Sequence, residues 1–223
     1  MLGQPMSVKI DSRLTIKLGP FTKDDMSRFI ENGGMQNHSI TRYLGTHQAL
    51  TIEDEHAWYD KVRADQASRV WGIWDTSGKT ARLIGNTSLT RLKTDPLRQM
   101  VSGSVIFDSE YWGRGIATGI HKARTWYAFN QLNLVRIKSA VLMPNIGSRK
   151  ALSRSGYFTH SIERNETFVD GELQHLENLE CLNPAEHAWS RWWGSDEPTA
   201  LALEAKETTL ATLAWADQNV QLL

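Results

Sequence analysis

The chain has 223 residues, 40% of them apolar, which is enough for a sizeable single core and short for two average domains. Its 25 basic residues balance its 25 acidic residues, so the charge argues against nucleic acid or an anionic membrane as a partner. The single cysteine, Cys181, cannot form an intramolecular disulfide, and the start lacks the apolar core of a signal peptide, so a cytoplasmic location is predicted. No window approaches the roughly 18 consecutive apolar residues of a membrane span.

The first half of the chain is predicted to contain one strand, two helices and a hairpin. Residues 13–18 alternate polar and apolar side chains, which is the period of a half-buried strand. Thr22 and Thr51 each precede an aspartate by three residues, a capping-box pattern that predicts the start of a helix. Residues 69–75 and 82–91 are rich in apolar and β-branched side chains and flank a turn-forming cluster, so they are predicted to pair as an antiparallel hairpin.

The second half is predicted to continue as strand, helix and strand, followed by a short helix and a last hairpin. The first three elements are residues 100–108, 115–132 and 135–142, in which the apolar period changes from strand to helix and back. The short helix begins at a capping asparagine, Asn145, and Asp170 with Gly171 is a strong two-residue hairpin signal.

The composition changes after residue 183, and residues 184–223 are predicted to form a helical C-terminal extension. Three tryptophans, Trp189, Trp192 and Trp193, lie near its start and are predicted to pack within the chain, with a dimer contact as the alternative. An alanine- and leucine-rich stretch runs from Pro198 to Val220, and proline suits the first turn of a helix.

The turn before the helix at residue 115 carries the clearest chemical signal. Gly113 and Gly115 let the backbone turn tightly, so the N–H groups from Arg114 to Thr118 can point at one position. The first amides of a helix are unpaired and carry partial positive charge, which suits a pyrophosphate. Glycines used for turn geometry alone explain this pair equally well.

Two segments resemble the motifs of GNAT acetyltransferases. The segment from Tyr111 to Ala117 resembles the acetyl-CoA-binding motif, although Trp112 occupies a position that usually holds glutamine or arginine. The segment from Asn145 to Tyr157 resembles the family's asparagine, serine and basic helix that ends in glycine and an aromatic residue. Arg164 and the hairpin turn fall at the spacing of the RimJ/RimL-type branch. The resemblance covers roughly residues 10 to 182, and residues 10–183 are predicted to be the acyltransferase domain.

The resemblance implies a mixed α+β fold. In the GNAT fold, a mostly antiparallel, twisted sheet of six to seven strands is flanked by helices, and strands four and five splay apart. The C-terminal extension is an addition that the resemblance does not cover.

The resemblance also implies acetyl-CoA as the acyl donor, without a metal. In the family, the pantetheine arm lies between the splayed strands and pairs with the strand edge. We also expect residues that bind the pyrophosphate, an asparagine that binds the pantetheine and a basic residue that meets the ribose phosphate. The predicted cofactor-binding residues, in that order, are Val105, Ile106 and Phe107; Arg114, Gly115, Ile116, Ala117 and Thr118; Asn145; and Arg149, with Lys150 as its alternative.

The implied reaction is direct attack of a neutral amine on the thioester. Many family members place a tyrosine acid seven residues after the asparagine, but Leu152 stands there, so Ser148 is the candidate acid. Glu166 is the candidate base, and a water chain is an alternative. Cys181 has no activating partner in the sequence and is set aside as a nucleophile. Further candidate bases are His175, Glu177 and Asp108.

The acceptor is expected to be a protein or peptide α-amino group, because that is the branch resembled. A polyamine or aminoglycoside stays open because an acidic run, Glu163, Glu166, Asp170 and Glu172, would attract a polycation. A coenzyme-binding module without catalysis is the non-enzymatic alternative. A nucleic-acid modifier is disfavoured by the neutral charge balance. The chain is expected to be a monomer or a homodimer.

Overall fold

A computed structural model of the chain describes residues 1–45, 49–92 and 98–223. Within these residues the chain forms nine strands and seven α-helices. They divide into two compact units, which are interleaved along the sequence. Unit 1 comprises Met1–Thr90, Gly103–Gly119 and Asn219–Leu223, and unit 2 comprises Arg91–Ser102 and Ile120–Gln218.

Unit 1 is built on strands in the order β5-β4-β3-β2-β1-β9, of which β5 contributes only its second half. The strands are β1 Met6–Lys9, β2 Thr15–Gly19, β3 Arg69–Asp75, β4 Arg82–Arg91, β5 Gln99–Ile106 and β9 Val220–Leu222. Its helices are α1 Ser27–Ile30, α2 His38–Thr41 and α3 Ile52–Ala64. The hairpin predicted over residues 69–91 is confirmed, because β3 pairs antiparallel with β4.

Two strands of unit 1 were missed by the sequence patterns. β1 pairs antiparallel with β2 on one side and with β9 on the other. Its alternation, with Met6 and Val8 fully buried, is only four residues long, which is short for a pattern to predict. The prediction that the tail is helical to Val220 is wrong at its end, because the helix stops at Asn219 and β9 follows. The sheet therefore gains strands beyond the six or seven expected.

Only one of the two predicted helix starts is a complete capping box. Thr51 and Asp54 each bind the other's backbone N–H at the start of α3. Thr22 donates to Asp25 instead, and a single 3₁₀ turn, Asp24–Met26, leads into the four-residue α1. These elements enclose an apolar cluster, called here the α3 cluster. Its buried members are Phe21, Met26, Phe29, Met35, Ile40, Val62, Val70, Leu83 and Phe107, and Ile52, Trp58, Tyr59 and Val105 pack against them.

Unit 2 is built on strands in the order β7-β8-β6-β5, of which β5 contributes its first half. The further strands are β6 Arg136–Leu142, β7 Phe158–Val169 and β8 Glu172–Leu182. The helices are α4 Ile116–Trp126, whose first turn belongs to unit 1, α5 Ile146–Ser153, α6 Glu186–Trp193 and α7 Ala200–Asn219. Asp170 and Gly171 both have positive φ, at 54° and 82°, which matches the predicted hairpin turn.

The strands predicted to splay are β5 and β6, the family's fourth and fifth. Their parallel ladder covers three residue pairs, from Gln99 with Arg136 to Val101 with Lys138. β6 continues to Leu142 with only β8 as a partner. The expected opening of the sheet at this point is confirmed.

Helix α7 packs closely on the rest of unit 2. A Cβ added to Gly156 would lie 2.1 Å from the hydroxyl oxygen of Thr209 in α7, and Gly156 has φ of +90°. Near the end of α7, the Trp126 indole N–H donates to Asp217 at 2.8 Å. Trp189 is buried, with Lys206 4.4 Å above its ring, so the predicted packing of the tail tryptophans within the chain is confirmed. None of the helices in the described ranges combines the length and apolar character needed to cross a bilayer.

Candidate functional site

The turn between β5 and α4 has the geometry of an anion cradle. Gly113 and Gly115 have φ of 74° and 77°, a region that favours glycine. Among the described residues, no acceptor contacts the backbone N–H groups of Gly115, Ile116 or Ala117. Unpaired amides at the positive end of an 11-residue helix are complementary to a pyrophosphate. The predicted cradle therefore fits the phosphate groups of coenzyme A.

A hydrogen bond between Tyr111 in this turn and Asp75 at the end of β3 fixes the turn to the sheet. The Tyr111 hydroxyl donates to Asp75 at 2.9 Å, and the Ser77 backbone N–H donates to the same carboxylate at 2.9 Å. Burial works to raise the pKa of Asp75, but these hydrogen bonds outweigh it and the pKa is lowered. Burial and the bond to Asp75 raise the pKa of Tyr111 to about 12. The pair is thus an ionised acceptor and a neutral donor at physiological pH.

Two arginines lie beside the Tyr111 ring. The Arg114 guanidinium is 5.2 Å from the ring centroid and the Arg82 guanidinium 5.8 Å. Arg82 also pairs with Asp108 at 2.7 Å. The cradle therefore carries cationic side chains as well as amides, which suits a polyanion. Asp108, one of the alternative bases, is tied up in this ion pair.

At the strand edge before the cradle, the backbone of Ile106 faces the opposite way from that of Val105 and Phe107. The Phe107 N–H donates to the Ile84 carbonyl at 3.0 Å, so Phe107 and, by strand alternation, Val105 direct their backbone groups toward β4. A Cβ on Gly85 would lie 2.2 Å from the Val105 carbonyl oxygen, which accounts for glycine there. Ile106 faces the other way, where the Trp112 indole N–H donates to its carbonyl at 2.9 Å. Trp112, noted only as a departure from the motif, thus ties the turn to the strand.

Asn145 caps α5, as the sequence predicted. Its side-chain oxygen accepts the Ser148 N–H at 3.2 Å, and both residues are half-buried. The Ser148 hydroxyl makes no hydrogen bond within the described residues. It has the freedom that a proton donor requires, and its role as the acid stays a prediction.

Arg149 and Glu177 form an ion pair in unit 2. The Arg149 Nε and the Thr159 hydroxyl both donate to the Glu177 carboxylate, beside an open cavity of about 520 Å³. Burial works to raise the pKa of Glu177, but these hydrogen bonds lower it overall. Glu177 is therefore an anion whose two carboxylate oxygens already accept hydrogen bonds. This makes it a poor candidate for the base. The role of Arg149 toward a ribose phosphate stays a prediction.

The remaining candidates from the last hairpin differ in their surroundings. Glu166 is exposed on β7 and has no partner among the described residues, so its role as a base stays a prediction. His175 accepts the Asn165 N–H at Nδ1, at 3.1 Å. Cys181 is fully buried, and burial raises the pKa of its thiol to about 12, which supports setting it aside as a nucleophile.

One unusual carboxyl group, that of Glu55 in α3, was not predicted from the sequence. Glu55 is 4% exposed, and no described residue gives it a hydrogen bond or an ion pair. Burial, with a smaller contribution from the charge of Asp54, raises the pKa of Glu55 to about 7. Its burial could have been predicted from its spacing along the helix. Glu55 precedes Trp58 by three residues and Val62 by seven, so it lies on the helix face that packs on the α3 cluster.

The raised pKa predicts a stability that falls as the pH rises. Between pH 4.5 and about 7 the folded state keeps a proton on Glu55 that the unfolded state has lost, so the free energy of unfolding decreases across this window. With a discount for solvent screening, the loss should be on the order of 2 kcal/mol. Thermal melting of the wild type and Glu55→Gln at pH 5 and pH 8 checks this. The glutamine variant should lose less stability than the wild type; equal losses would show that Glu55 is solvated.

Comparison with known proteins gives the family of the chain. The family model described as "Acetyltransferase (GNAT) domain" matches residues 15–157. The chain therefore belongs to the GNAT acetyltransferase family. Among curated proteins, a probable N-acetyltransferase, YjcK of Bacillus subtilis, is 32% identical over 114 residues, which are 51% of this chain and 61% of that protein. Spermidine N(1)-acetyltransferase of Escherichia coli is 23% identical over 160 residues, 72% of this chain and 82% of that protein.

Solved structures share the fold. RimJ of Mycobacterium smegmatis superposes with a TM-score of 0.68 at 17% identity, covering 98% of this chain and 95% of RimJ. Spermidine N-acetyltransferase of Vibrio cholerae, solved with CoA and spermine, has a TM-score of 0.64 at 24% identity and covers 78% of this chain and 97% of that chain. The RimJ match includes the C-terminal extension, which lies outside the family model.

Proposed function

We propose that the chain is an N-acetyltransferase that uses acetyl-CoA to acetylate a primary amine. The observation that carries the proposal is the cradle, in which the amides of Gly115, Ile116 and Ala117 lack acceptors at the start of α4. The family supports the same cofactor. No group of three or more His, Cys, Asp and Glu side chains in the described ranges is placed to hold a metal.

The residues that would hold the coenzyme come from three places in the chain. The cradle, with Arg114, would take the pyrophosphate, and the backbone N–H of Ile106, whose carbonyl accepts the Trp112 indole N–H, would donate to a pantetheine carbonyl. Asn145, in unit 2, has an amide nitrogen that its capping role leaves unused, because only its oxygen caps α5. When bound, acetyl-CoA supplies an activated thioester carbonyl. The chain's part is to orient that carbonyl, to accept the acceptor's proton and, through Ser148, to donate one to the departing sulfur.

The acceptor that we propose is the α-amino group of a polypeptide. The similarity in fold to a ribosomal-protein-S5-alanine acetyltransferase of Vibrio fischeri supports this, as does the match to RimJ, which extends over nearly the whole chain, including α6 and α7. An α-amino group has an unperturbed pKa of about 8, so a useful fraction is neutral at physiological pH.

A polyamine is the second candidate acceptor. The spermidine N-acetyltransferases among the relatives favour it, as do four exposed acidic residues on the last hairpin. These residues are Glu163, Glu166, Asp170 and Glu172. A polycation would be attracted to such a run of charge.

A thiol-release assay with matched acceptors tests the function. Acetyl-CoA is offered with a peptide that has a free N-terminus, with the same peptide N-acetylated but containing lysine, with spermidine and with an aminoglycoside. We expect the free N-terminal peptide to release CoA fastest. Faster release with spermidine would favour the polyamine candidate. Calorimetric binding of acetyl-CoA without release by any acceptor would identify a non-catalytic coenzyme-binding module.

A further inference from the structure

Glu55 is an acidic residue on the apolar face of α3, and it has no role among the residues proposed to bind the coenzyme. We propose that Glu55 binds the ammonium group of the acceptor and takes its proton before acetyl transfer. The inference rests on the proposed function, because it names the base for the same reaction. Glu166 on the last hairpin is the other candidate base, and a variant of each residue therefore belongs in the experiment.

The α3 cluster connects Glu55 to the strand edge within unit 1. Phe107, which follows β5, lies with its ring centroid 4.7 Å from that of Phe29, and Phe29 lies 5.7 Å from Trp58. Trp58 is one helical turn after Glu55 on the same face of α3. Val105, from the strand edge predicted to pair with pantetheine, packs against the same cluster. The helix face that carries Glu55 and the end of β5 therefore pack on the same apolar cluster.

An unpaired carboxyl on such an apolar face is unfavourable unless it stays protonated or meets a cation. Among the described residues, no cation forms an ion pair with Glu55. Lys23 pairs with Asp60, Arg28 with Glu31, and the Met1 ammonium donates to the Val62 carbonyl at the other end of α3. The guanidinium of Arg42, on the turn after α2, lies over the Tyr43 ring.

The nearby acidic groups add negative charge without pairing Glu55. Asp54 is held in the capping box, Asp25 accepts from Thr22, and Asp24 is exposed. Asp54 is the charged residue that raises the pKa of Glu55 in addition to burial. A cation that pairs with the ionised form of Glu55 therefore comes from outside the described residues, and the ammonium of an amine acceptor has the required charge and donors.

The proton balance of the step is simple. The ammonium nitrogen gives one proton to the Glu55 carboxylate, which leaves a neutral amine and a carboxylic acid. The amine lone pair forms the new C–N bond while the thioester C–S bond breaks, and the sulfur leaves as a thiolate. The amide nitrogen loses its second proton as the thiolate gains one, and Glu55 returns its proton to water. A carboxyl whose pKa lies near 7 is suited to this exchange.

The test measures kcat/KM against pH for the wild type, Glu55→Gln and two controls. Glu53→Gln makes the same change on an exposed residue in the same helical turn, and Glu166→Gln removes the hairpin candidate. With a peptide α-amino acceptor at pH 7, we expect Glu55→Gln to lose roughly 100-fold in kcat/KM, the low end of general-base catalysis. The loss should shrink at pH 9.5, where the amine is already neutral, and the rise through pH 7 should disappear. The Glu53 variant should match the wild type.

A second readout does not depend on turnover. Calorimetric binding of the acceptor to the protein saturated with CoA, which has no acetyl group to transfer, should weaken at least tenfold in Glu55→Gln, while CoA binding stays unchanged. An active wild type whose pH profile and acceptor affinity are unaltered by Glu55→Gln would overturn the role of Glu55 alone. A wild type inactive toward every acceptor would overturn the proposed function, and this inference with it.

Discussion

Glutamate in place of Gly115 is expected to abolish binding of acetyl-CoA. The residue has φ of 77°, so any side chain there strains the backbone of the turn. A carboxylate would also sit beside the amides of Ile116 and Ala117, where it competes with the pyrophosphate and repels it. We expect the dissociation constant to rise at least 100-fold, equivalent to about 3 kcal/mol or more. Calorimetric titration with acetyl-CoA measures this directly.

Gly171→Glu is the matched control for this variant. Gly171 has a similar φ of 82°, and a Cβ there meets nothing within 4 Å. The control therefore introduces the same charge and comparable strain in a turn of a different unit, the hairpin turn of unit 2. Its affinity for acetyl-CoA should be that of the wild type. Equal binding by Gly115→Glu and the wild type, with both proteins folded, would contradict the assignment of the cradle.

Gly156→Ala is expected to destabilise the protein strongly without touching the cradle. The new Cβ would lie 2.1 Å from the Thr209 hydroxyl oxygen and 3.0 Å from the Thr209 Cα, and φ at this position is +90°. A hydroxyl can rotate away, but the Cα belongs to the backbone of α7, so the helix must shift. We expect a loss of about 3 kcal/mol in the free energy of unfolding, from overpacking and backbone strain together. Thermal and urea denaturation measure it, with the melting temperature falling by roughly 6 to 12 °C.

The control for Gly156→Ala separates crowding from strain. Gly171→Ala carries the same change at positive φ in open space, so only the backbone term of about 1 kcal/mol should appear. A loss in Gly156→Ala no greater than in Gly171→Ala would show that α7 does not press on Gly156.

Elements with a strong local pattern were predictable from the sequence. The turn at Gly113 and Gly115, the hairpin turn at Asp170 and the cap at Asn145 each rest on residues whose backbone or side-chain preference acts within a few positions. The splayed strands were expected from the family resemblance, since no residue pattern encodes a ladder that stops after three pairs. β9 was unpredictable in practice, because three residues at the end of an alanine-rich helix carry no distinct period.

The candidate site was less predictable than the fold, because its contacts join distant positions. Tyr111 meets Asp75 across 36 residues, and nothing in either local sequence marks the pair. Glu55 has the composition of an ordinary helix-start residue, and only its burial distinguishes it from its exposed neighbour Glu53. Side-chain environment, which decides a pKa, comes from tertiary packing that a single sequence does not display.

The pairing of β9 with β1 also bears on how unit 1 avoids self-association. An outer strand offers a row of unpaired N–H and C=O groups to which another chain can add. In unit 1 the alternating strand β1, with its buried Met6 and Val8, is covered on that side by β9. The exposed edge is thereby reduced to three residues, Val220–Leu222, which is too short to template an extended intermolecular sheet. The short strand that follows α7 thus protects the edge of β1 from pairing with another chain.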